Sequence, residues 1–333
     1  MQPLYPWLIT DYQKITHAFQ RGLGHHALLF KGDTGLGIEE LIFHISGFLL
    51  CQSHEVHPCG HCHQCRLYQA NNHPDFYHLA PIEDKDIGVD QVREVLEKLT
   101  QSAQQGGNKV VFIDGANRLT EAAANAILKN LEEPRPNTYF LIKSEQGLPL
   151  LPTIYSRCQP WLIASPSAMQ SVAWLQTQLP NISEDILLPA LRMSAYRPLS
   201  ALNFVQENLL EQRTTLLRHF WLFYTRLSPL EILPSFDKAI LFQQLDWIEA
   251  FVNDSLKCKL GIFSGWQCAD IAKGIERFAA NLSVDSLLGI QQILQKMRTD
   301  LREINAVNQE LILLDGLTQL ITKIFAPKLK EIE

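Results

Sequence analysis

The stretch "HALLFKGDTGLGIEELIFHISGFLLC", residues 26–51, decides the fold of the first half of this chain. Residues 26–32 are a short apolar run that ends in glycine, which predicts a buried strand. Apolar residues then recur at helical spacing, and they are Leu41, Ile42, Ile45, Phe48 and Leu49. Between strand and helix lies "GDTGLGIEE", residues 32–40, with the glycine spacing of a phosphate-binding loop. This order predicts the first unit of a parallel α/β sheet.

The loop has lost the side chains that act on a nucleotide. In a working phosphate loop a lysine reaches the β- and γ-phosphates, and the next residue, serine or threonine, holds Mg²⁺. Here Gly32, Gly35 and Gly37 keep the backbone pattern, but Ile38 replaces the lysine and Glu39 replaces the hydroxyl. An acidic residue suits the first turn of a helix, because it interacts favourably with the helix dipole. We therefore expect no hydrolysis at this loop.

A second departure from the ATPase pattern, after Asp114, also argues against ATP hydrolysis by this chain. The run "NKVVFIDGA", residues 108–116, predicts a buried strand that closes on Asp114. AAA+ ATPases place Asp-Glu at the end of this strand, whereas Gly115 follows Asp114 here. Two alternatives remain open from the residues alone. The loop amides and Asp114 suffice for weak residual nucleotide binding, and an active AAA+ NTPase would need a substitute lysine, for which Lys31 is the nearest candidate.

Four of the seven cysteines cluster as C-x7-C-x2-C-x2-C, and they are Cys51, Cys59, Cys62 and Cys65. Zn²⁺ prefers four thiolates in a tetrahedron, and closely spaced cysteines turn their sulfurs onto one ion. The pattern predicts a structural zinc module over residues 51–65. A neighbouring histidine is a possible replacement for Cys51, and the candidates are His54, His57, His61 and His63. A zinc ribbon that binds nucleic acid is a further hypothesis, although Arg66 is the one permanent cation beside the cluster.

Composition limits the functions that the chain can perform alone. Its 333 residues are 46% hydrophobic and 19% charged, which is typical of a globular protein of two or three domains. The net charge of −6 argues against a protein that grips DNA by itself. The sequence shows no signal peptide and no apolar run of membrane-spanning length. We expect a cytoplasmic protein without a membrane partner.

The rest of the chain changes character near residue 165. The runs "PDFYHLAP" and "NTYFLIKS" predict two more strands, an alanine-rich helix lies between Thr120 and Pro134, and "SRCQPWLIASP" is predicted to carry the chain out of the sheet. Beyond it only amphipathic helices are predicted. The predicted fold class is α/β followed by all-α. The expected domains are residues 1–165, 166–204 and 205–333.

These motifs together resemble the clamp-loader family of bacterial DNA polymerase III. The resemblance is carried by "GHHALLFKG", the four-cysteine module, "NHPDFYHLAP", "GVDQVREV", "GGNKVVFIDGANRLTEAAANAILKNLEEP", "YSRCQ" and "VNQELILLDGL". It is dense up to about residue 165 and thinner afterwards. The departures at Ile38, Glu39 and Gly115 favour a non-ATPase subunit of the family over its ATPase subunits, tau and gamma.

The resemblance implies an AAA+ architecture: a RecA-like parallel sheet domain with the inserted zinc module, a small helical lid and a C-terminal helical collar. It implies a non-catalytic, stator-like subunit of the polymerase holoenzyme that assists ATP-dependent loading of the sliding clamp onto primed DNA. The implied partners are the tau or gamma subunits and the delta subunit, with the clamp and DNA reached through the complex. ATP is not expected to bind productively.

The same resemblance implies a role for Arg157 in "SRC". The family's arginine finger lies in this motif and projects into the ATP site of a neighbouring subunit. An arginine supplied by a neighbour neutralises charge that develops on the γ-phosphate. An isolated S-R-C tripeptide would otherwise indicate an ordinary surface arginine. In the position it occupies here, after the last strand, we predict a finger that acts in trans.

Overall fold

The computed structural model describes residues 3–53, 57–82, 85–303 and 309–325. The chain forms two compact units. The first consists of Met1–Trp174 with Arg197–Ser200, and the second of Leu175–Tyr196 with Ala201–Glu333. The expected division into three domains at residues 165 and 204 stays a prediction.

The first unit is built on a parallel sheet of five strands. In chain order they are β1 (Ala27–Gly32), β2 (Phe76–Leu79), β3 (Lys109–Asp114), β4 (Thr138–Glu145) and β5 (Gln159–Leu162). The spatial order is β2-β3-β4-β1-β5, and every neighbouring pair is parallel. The predicted α/β class and all four predicted strands are thereby confirmed. The carboxyl ends of β1, β3 and β4 share one edge of the sheet, so the residues that follow them come close together.

One prediction about the sheet was wrong. The run "SRCQPWLIASP" does not leave the sheet, since its residues 159–162 form β5 and pair with Leu28–Lys31 of β1. Three of the four β5 residues are exposed, and Pro160 cannot donate a backbone hydrogen bond. Such a strand is tolerated at a sheet edge, but it lacks the buried apolar run by which the central strands are recognised.

Helices cover both faces of the sheet, in the first unit. They are α1 (Ile9–Gln20), α2 (Ile38–Leu50), α3 (His63–Gln69), α4 (Val89–Thr100), α5 (Glu121–Glu132) and α6 (Pro152–Tyr155). Because side chains alternate along a strand, Val110 and Phe112 share one apolar cluster with α1 and α2, whereas Val111 and Ile113 share the other with α4 and α5. Thr120 caps α5 as predicted, accepting a bond from the Ala123 amide at 3.2 Å.

The remaining helices belong wholly or partly to the second unit. They are α7 (Ala168–Gln178), α8 (Glu184–Met193), α9 (Pro198–Gln206), α10 (Leu209–Arg226), α11 (Pro229–Ile232), α12 (Leu241–Lys259), α13 (Ala272–Asn281), α14 (Val284–Glu303) and α15 (Gln309–Leu320). One apolar core holds this unit together, with Phe220, Trp247 and Phe278 fully buried. The predicted all-α second part is confirmed for the described residues. Among the described helices, none combines the length and apolarity that a bilayer crossing requires.

Candidate functional site

The glycine loop joins β1 to α2 at the carboxyl edge of the sheet. Gly35 and Gly37 have φ values of +90° and +77°, which side chains rarely adopt, and α2 begins at Ile38 immediately afterwards. The two glycines therefore make a tight turn between β1 and α2, and the assignment of this turn as a degenerate phosphate loop stays a prediction. Ile38 is 1% exposed and joins the apolar cluster beneath α2, so the residue at the lysine position points into the core.

Other parts of the first unit contact this loop. The Leu199 amide donates to the Gly35 carbonyl at 3.1 Å, and the Trp7 indole N–H donates to the Leu36 carbonyl at 2.8 Å. The ring of Tyr5 lies so close to Gly37 that a Cβ on that glycine would be 2.4 Å from it. Residues around the loop thus use its backbone carbonyls and crowd one of its glycines.

Three charged residues meet where the carboxyl ends of the strands approach α2. The Lys143 ammonium, at the end of β4, donates to the carboxylates of Glu39 and Asp114, and the Asp114 contact is 2.9 Å. The Lys143 side chain is 12% exposed. His78 lies on the far side of Asp114, with its Nε2 3.6 Å from the second carboxylate oxygen. The two acidic residues predicted for the nucleotide site are therefore brought together, but around a lysine.

The pKa values of this cluster show that the charges stabilise each other. Burial alone favours the neutral amine, yet the bonds to Glu39 and Asp114 outweigh it and raise the pKa of Lys143. Burial also disfavours the Asp114 carboxylate, but hydrogen bonds from His78 and Lys143 hold its pKa below the usual value. A deprotonated aspartate and a protonated lysine are thus the stable pair.

Gly115 adopts a left-handed conformation that opens a short 3-10 turn, Ala116–Arg118. No carboxylate follows Asp114, as the sequence predicted. The next polar side chain, Asn117, accepts from the Ser144 hydroxyl at 2.9 Å and from the Glu145 amide at 2.8 Å. Its amide group therefore ties the turn to the end of β4. The alternative lysine, Lys31, places its ammonium 5.4 Å from the ring centroid of Tyr155.

The structure brings the four predicted cysteines together. The sulfur atoms of Cys51, Cys59, Cys62 and Cys65 all lie within 4.8 Å of one another. Sulfurs that share one tetrahedral zinc ion are about 3.8 Å apart, given Zn–S bonds of about 2.3 Å. The amide N–H groups of residues 59, 62 and 65 each donate to the sulfur of an earlier cysteine at 3.4 Å. The donor set and its spacing fit a closed, structural metal site.

Backbone N–H groups favour the thiolate form at two of the four cysteines, Cys59 and Cys62, whereas burial raises the pKa of the Cys65 thiol. The N–H groups of His61 and Cys62 lower the pKa of the Cys59 thiol to about 6. Two of the neighbouring histidines have other contacts: His61 donates to the Cys59 carbonyl at 2.7 Å, and His57 stacks on Tyr12 with ring centroids 5.3 Å apart. His54 lies outside the described residues. Four cysteines, without a histidine, form the described cluster.

Arg157 lies at the opposite edge of the sheet from the glycine loop. It lies in the turn two residues before β5, whose first residue, Gln159, pairs with Leu28 of β1. Leu28 precedes Gly32 by four residues, so at about 3.3 Å per residue Gln159 is about 13 Å along the strands from Gly32, and Arg157 lies beyond it. Its guanidinium lies 3.3 Å from the Glu132 carboxylate and donates to the Thr153 carbonyl at 3.0 Å. Arg157 is therefore too far from its own loop to act there.

Sequence reasoning predicted roles for the loop, Asp114, the cysteines and Arg157, but it missed Lys143, His78 and Asn117. The three lie at or just beyond the ends of β4, β2 and β3. A polar residue that closes an apolar strand run, as Lys143 does after "YFLI", is the one signal that the sequence offers for such a site. Its partners become visible only when strand order and register are known.

Comparison with known proteins agrees with these features. A family profile described as "DNA polymerase III, delta subunit" matches residues 10–167, and its C-terminal counterpart matches residues 207–322. The chain is 52% identical to the delta' subunit of DNA polymerase III from Haemophilus influenzae, over 98% of this chain and 99% of that protein. It is 37% identical to the Escherichia coli delta' subunit, over 95% of each.

Among solved structures, a gamma subunit-related protein of DNA polymerase III from Thermotoga maritima superimposes with a TM-score of 0.46 at 19% identity, over 91% of this chain and 97% of that one. The sequence relatives decide the assignment, because they match nearly the whole chain at well above 30% identity. The chain belongs to the delta' subunit family of bacterial DNA polymerase III.

Proposed function

We propose that this chain is the non-catalytic, stator-like subunit of the clamp loader. In this role it braces an AAA+ assembly that loads the sliding clamp onto primed DNA, and it supplies Arg157 to the ATP site of an adjacent subunit. The partners in this proposal are the tau or gamma ATPase subunits and the delta subunit, within the cytoplasmic polymerase holoenzyme. The observation that carries it is a separation: the loop that lacks the catalytic side chains lies at the carboxyl ends of the strands, whereas Arg157 lies near their amino ends.

The proposed lack of ATPase activity rests on the loop and its surroundings. Ile38 is buried in the core, and Glu39 is engaged by an ammonium where a hydroxyl would hold Mg²⁺. No glutamate follows Asp114 to polarise an attacking water. The residues present therefore do not fit MgATP. Contacts from the Tyr5 ring and Leu199 further restrict the space and the backbone groups that a nucleotide would use.

The proposed finger rests on the position and contacts of Arg157. Its pair with Glu132 is partly exposed, with 28% of the arginine and 61% of the glutamate side chain accessible. Exposed ion pairs contribute between about 0 and 1 kcal/mol, so a γ-phosphate offered by a neighbour competes easily with Glu132. In well-studied NTPases such an arginine accelerates hydrolysis by about 10³–10⁵-fold.

The cysteine cluster completes the proposal as a structural zinc site held by Cys51, Cys59, Cys62 and Cys65. When bound, the ion would supply cross-links between the end of α2 and the start of α3 without taking part in catalysis. We also propose that residues 166–204 act as the helical lid and residues 205–333 as the collar through which the subunits associate.

The test is ATP hydrolysis by the reconstituted clamp loader with clamp and primed DNA, measured in a single turnover so that the site served by this chain is resolved. We expect Arg157→Ala to slow that site by about 10³-fold while the complex still assembles. The matched control is Arg135→Ala, an exposed arginine that precedes β4 at the same edge of the sheet, and it should change nothing.

Two results would contradict the proposal separately. Normal hydrolysis and clamp loading by a complex that contains Arg157→Ala would remove the finger. Steady ATP turnover by the isolated chain, lost in Asp114→Asn, would remove the non-catalytic role and restore the alternative of an active AAA+ NTPase.

A further inference from the structure

We infer that Glu39 and Asp114 occupy the two protein positions of a divalent-cation site, and that the Lys143 ammonium stands in place of the ion. This inference deepens the proposed function, since it concerns the same disabled loop and rests on that loop not using MgATP. It goes further by assigning a role to a residue that is absent from the nucleotide motifs.

The positions of the two carboxylates carry the argument. In phosphate-loop NTPases Mg²⁺ is held by the loop serine or threonine and by the aspartate that closes the second buried strand. Glu39 occupies the first of these positions and Asp114 the second. One atom, the Lys143 Nζ, contacts both carboxylates, and the contact with Asp114 is 2.9 Å. A cation therefore lies between the two residues that would otherwise share Mg²⁺.

The sheet fixes this arrangement. Lys143 pairs with Phe30 of β1 on one side and with Asp114 of β3 on the other, so it is centred between the loop strand and the aspartate strand. It has the same parity in β4 as Leu141, whose side chain belongs to the apolar cluster beneath α2. The lysine stem therefore leaves the sheet on the face where the first turn of α2 carries Glu39.

Charge explains why a cation is needed here. Two carboxylates that are close together and partly shielded from water repel each other, so a nearby positive charge stabilises a site that keeps both. A metal ion would leave the site whenever its concentration fell, or whenever a nucleotide departed with it. A lysine on β4 cannot leave. The loop and the first turn of α2 are thereby held to the sheet regardless of Mg²⁺ and nucleotide, which suits a subunit that braces others.

The inference predicts that removal of the ammonium uncovers a metal site. Lys143→Met keeps most of the stem but frees Glu39 and Asp114, with the His78 ring beside Asp114. Carboxylate oxygens suit Mn²⁺, whereas the thiolates of the cysteine cluster suit softer metals. We expect Mn²⁺ to bind Lys143→Met at least about 100-fold more tightly than the wild type. Titration of the full-length protein with Mn²⁺, monitored by electron paramagnetic resonance, measures this.

Three variants make the test specific. Lys143→Arg keeps a cation and should bind Mn²⁺ no better than the wild type. Lys31→Met removes a lysine of the neighbouring strand β1, whose ammonium lies over the Tyr155 ring. This variant should also behave as the wild type. Glu39→Gln combined with Lys143→Met removes one carboxylate, and it should lose the Mn²⁺ site gained by Lys143→Met.

Protein stability provides a second readout in case Lys143→Met folds poorly. Mn²⁺ should raise the Tm of that variant and leave the Tm of the wild type unchanged, because only the variant has a site that favours its folded state. A Lys143→Met protein that neither binds Mn²⁺ nor gains stability from it would overturn the inference, as would equally tight binding by the wild type. No nucleotide enters these experiments, so their failure is distinct from the detection of ATP turnover by the isolated chain.

Discussion

The two edges of the parallel sheet hold their charged side chains in opposite ways. At the carboxyl edge, Lys143 is 12% exposed and contacts two carboxylates of its own chain. At the amino edge, Arg157 has one carboxylate partner, Glu132, which is 61% exposed. Removing one member of an enclosed group of opposite charges destabilises the fold, whereas a charge in a weak surface pair remains available to another molecule. The loop edge is thus suited to holding its own shape, and the Arg157 edge to contact with a partner.

The largest effect on stability is expected when the lysine and threonine of a working phosphate loop are introduced at positions 38 and 39. Ile38→Lys with Glu39→Thr would place an ammonium in the core and remove a carboxylate that Lys143 contacts. We expect the free energy of unfolding to fall by about 3–5 kcal/mol, with no gain of MgATP binding. Urea denaturation and ATP titration measure the two quantities.

Ile38→Val is the control for that double variant, because it keeps an apolar side chain at the same position and should cost about 0.5–1.5 kcal/mol. Tight MgATP binding by Ile38→Lys with Glu39→Thr would show that the residues at these two positions are sufficient to explain why the loop does not bind nucleotide. The contacts of Lys143 and Tyr5 would then have no part in excluding the nucleotide. The charged cluster at the carboxyl edge would not close that edge to a ligand.

A smaller effect tests the comparison between the edges directly. Lys143→Met leaves two partly buried carboxylates without their cation, so we expect a loss of about 2–3 kcal/mol, reduced from the fully buried case because Glu39 is 35% exposed. Arg157→Ala breaks an exposed pair and should cost less than about 1 kcal/mol. Urea denaturation of the two variants side by side measures the difference. Equal losses would mean that the two edges are stabilised alike.

The sequence predicted the parts of this arrangement that depend on local pattern. Apolar runs predicted β1 and β3, glycine spacing predicted the turn, and paired cysteines predicted the sulfur cluster. Each of these signals lies within a few neighbouring residues. Ile38 likewise shows in the sequence itself that the phosphate loop lacks its lysine.

The parts that were missed depend on which strands are neighbours. Lys143 meets Glu39 from 104 residues away and Asp114 from 29 residues away. Nothing in the run "YFLIKS" indicates those partners until β4 is known to lie between β1 and β3. β5 was missed for another reason: an exposed edge strand that contains Pro160 has no apolar alternation to recognise.

The smallest effect concerns the partner of Arg157. Glu132→Gln removes the charge that holds the guanidinium against the end of α5, and it should change the free energy of unfolding by less than about 0.5 kcal/mol. If Arg157 acts on a neighbour's nucleotide, Glu132 competes with the γ-phosphate for the same group. Single-turnover hydrolysis by a complex that contains Glu132→Gln should then be as fast as the wild type or faster. A loss of activity similar to that of Arg157→Ala would instead make Glu132 a residue that positions the finger. The Arg157–Glu132 pair would then be required for hydrolysis at the neighbouring site, and Arg157 would not be a charge held loosely for a partner.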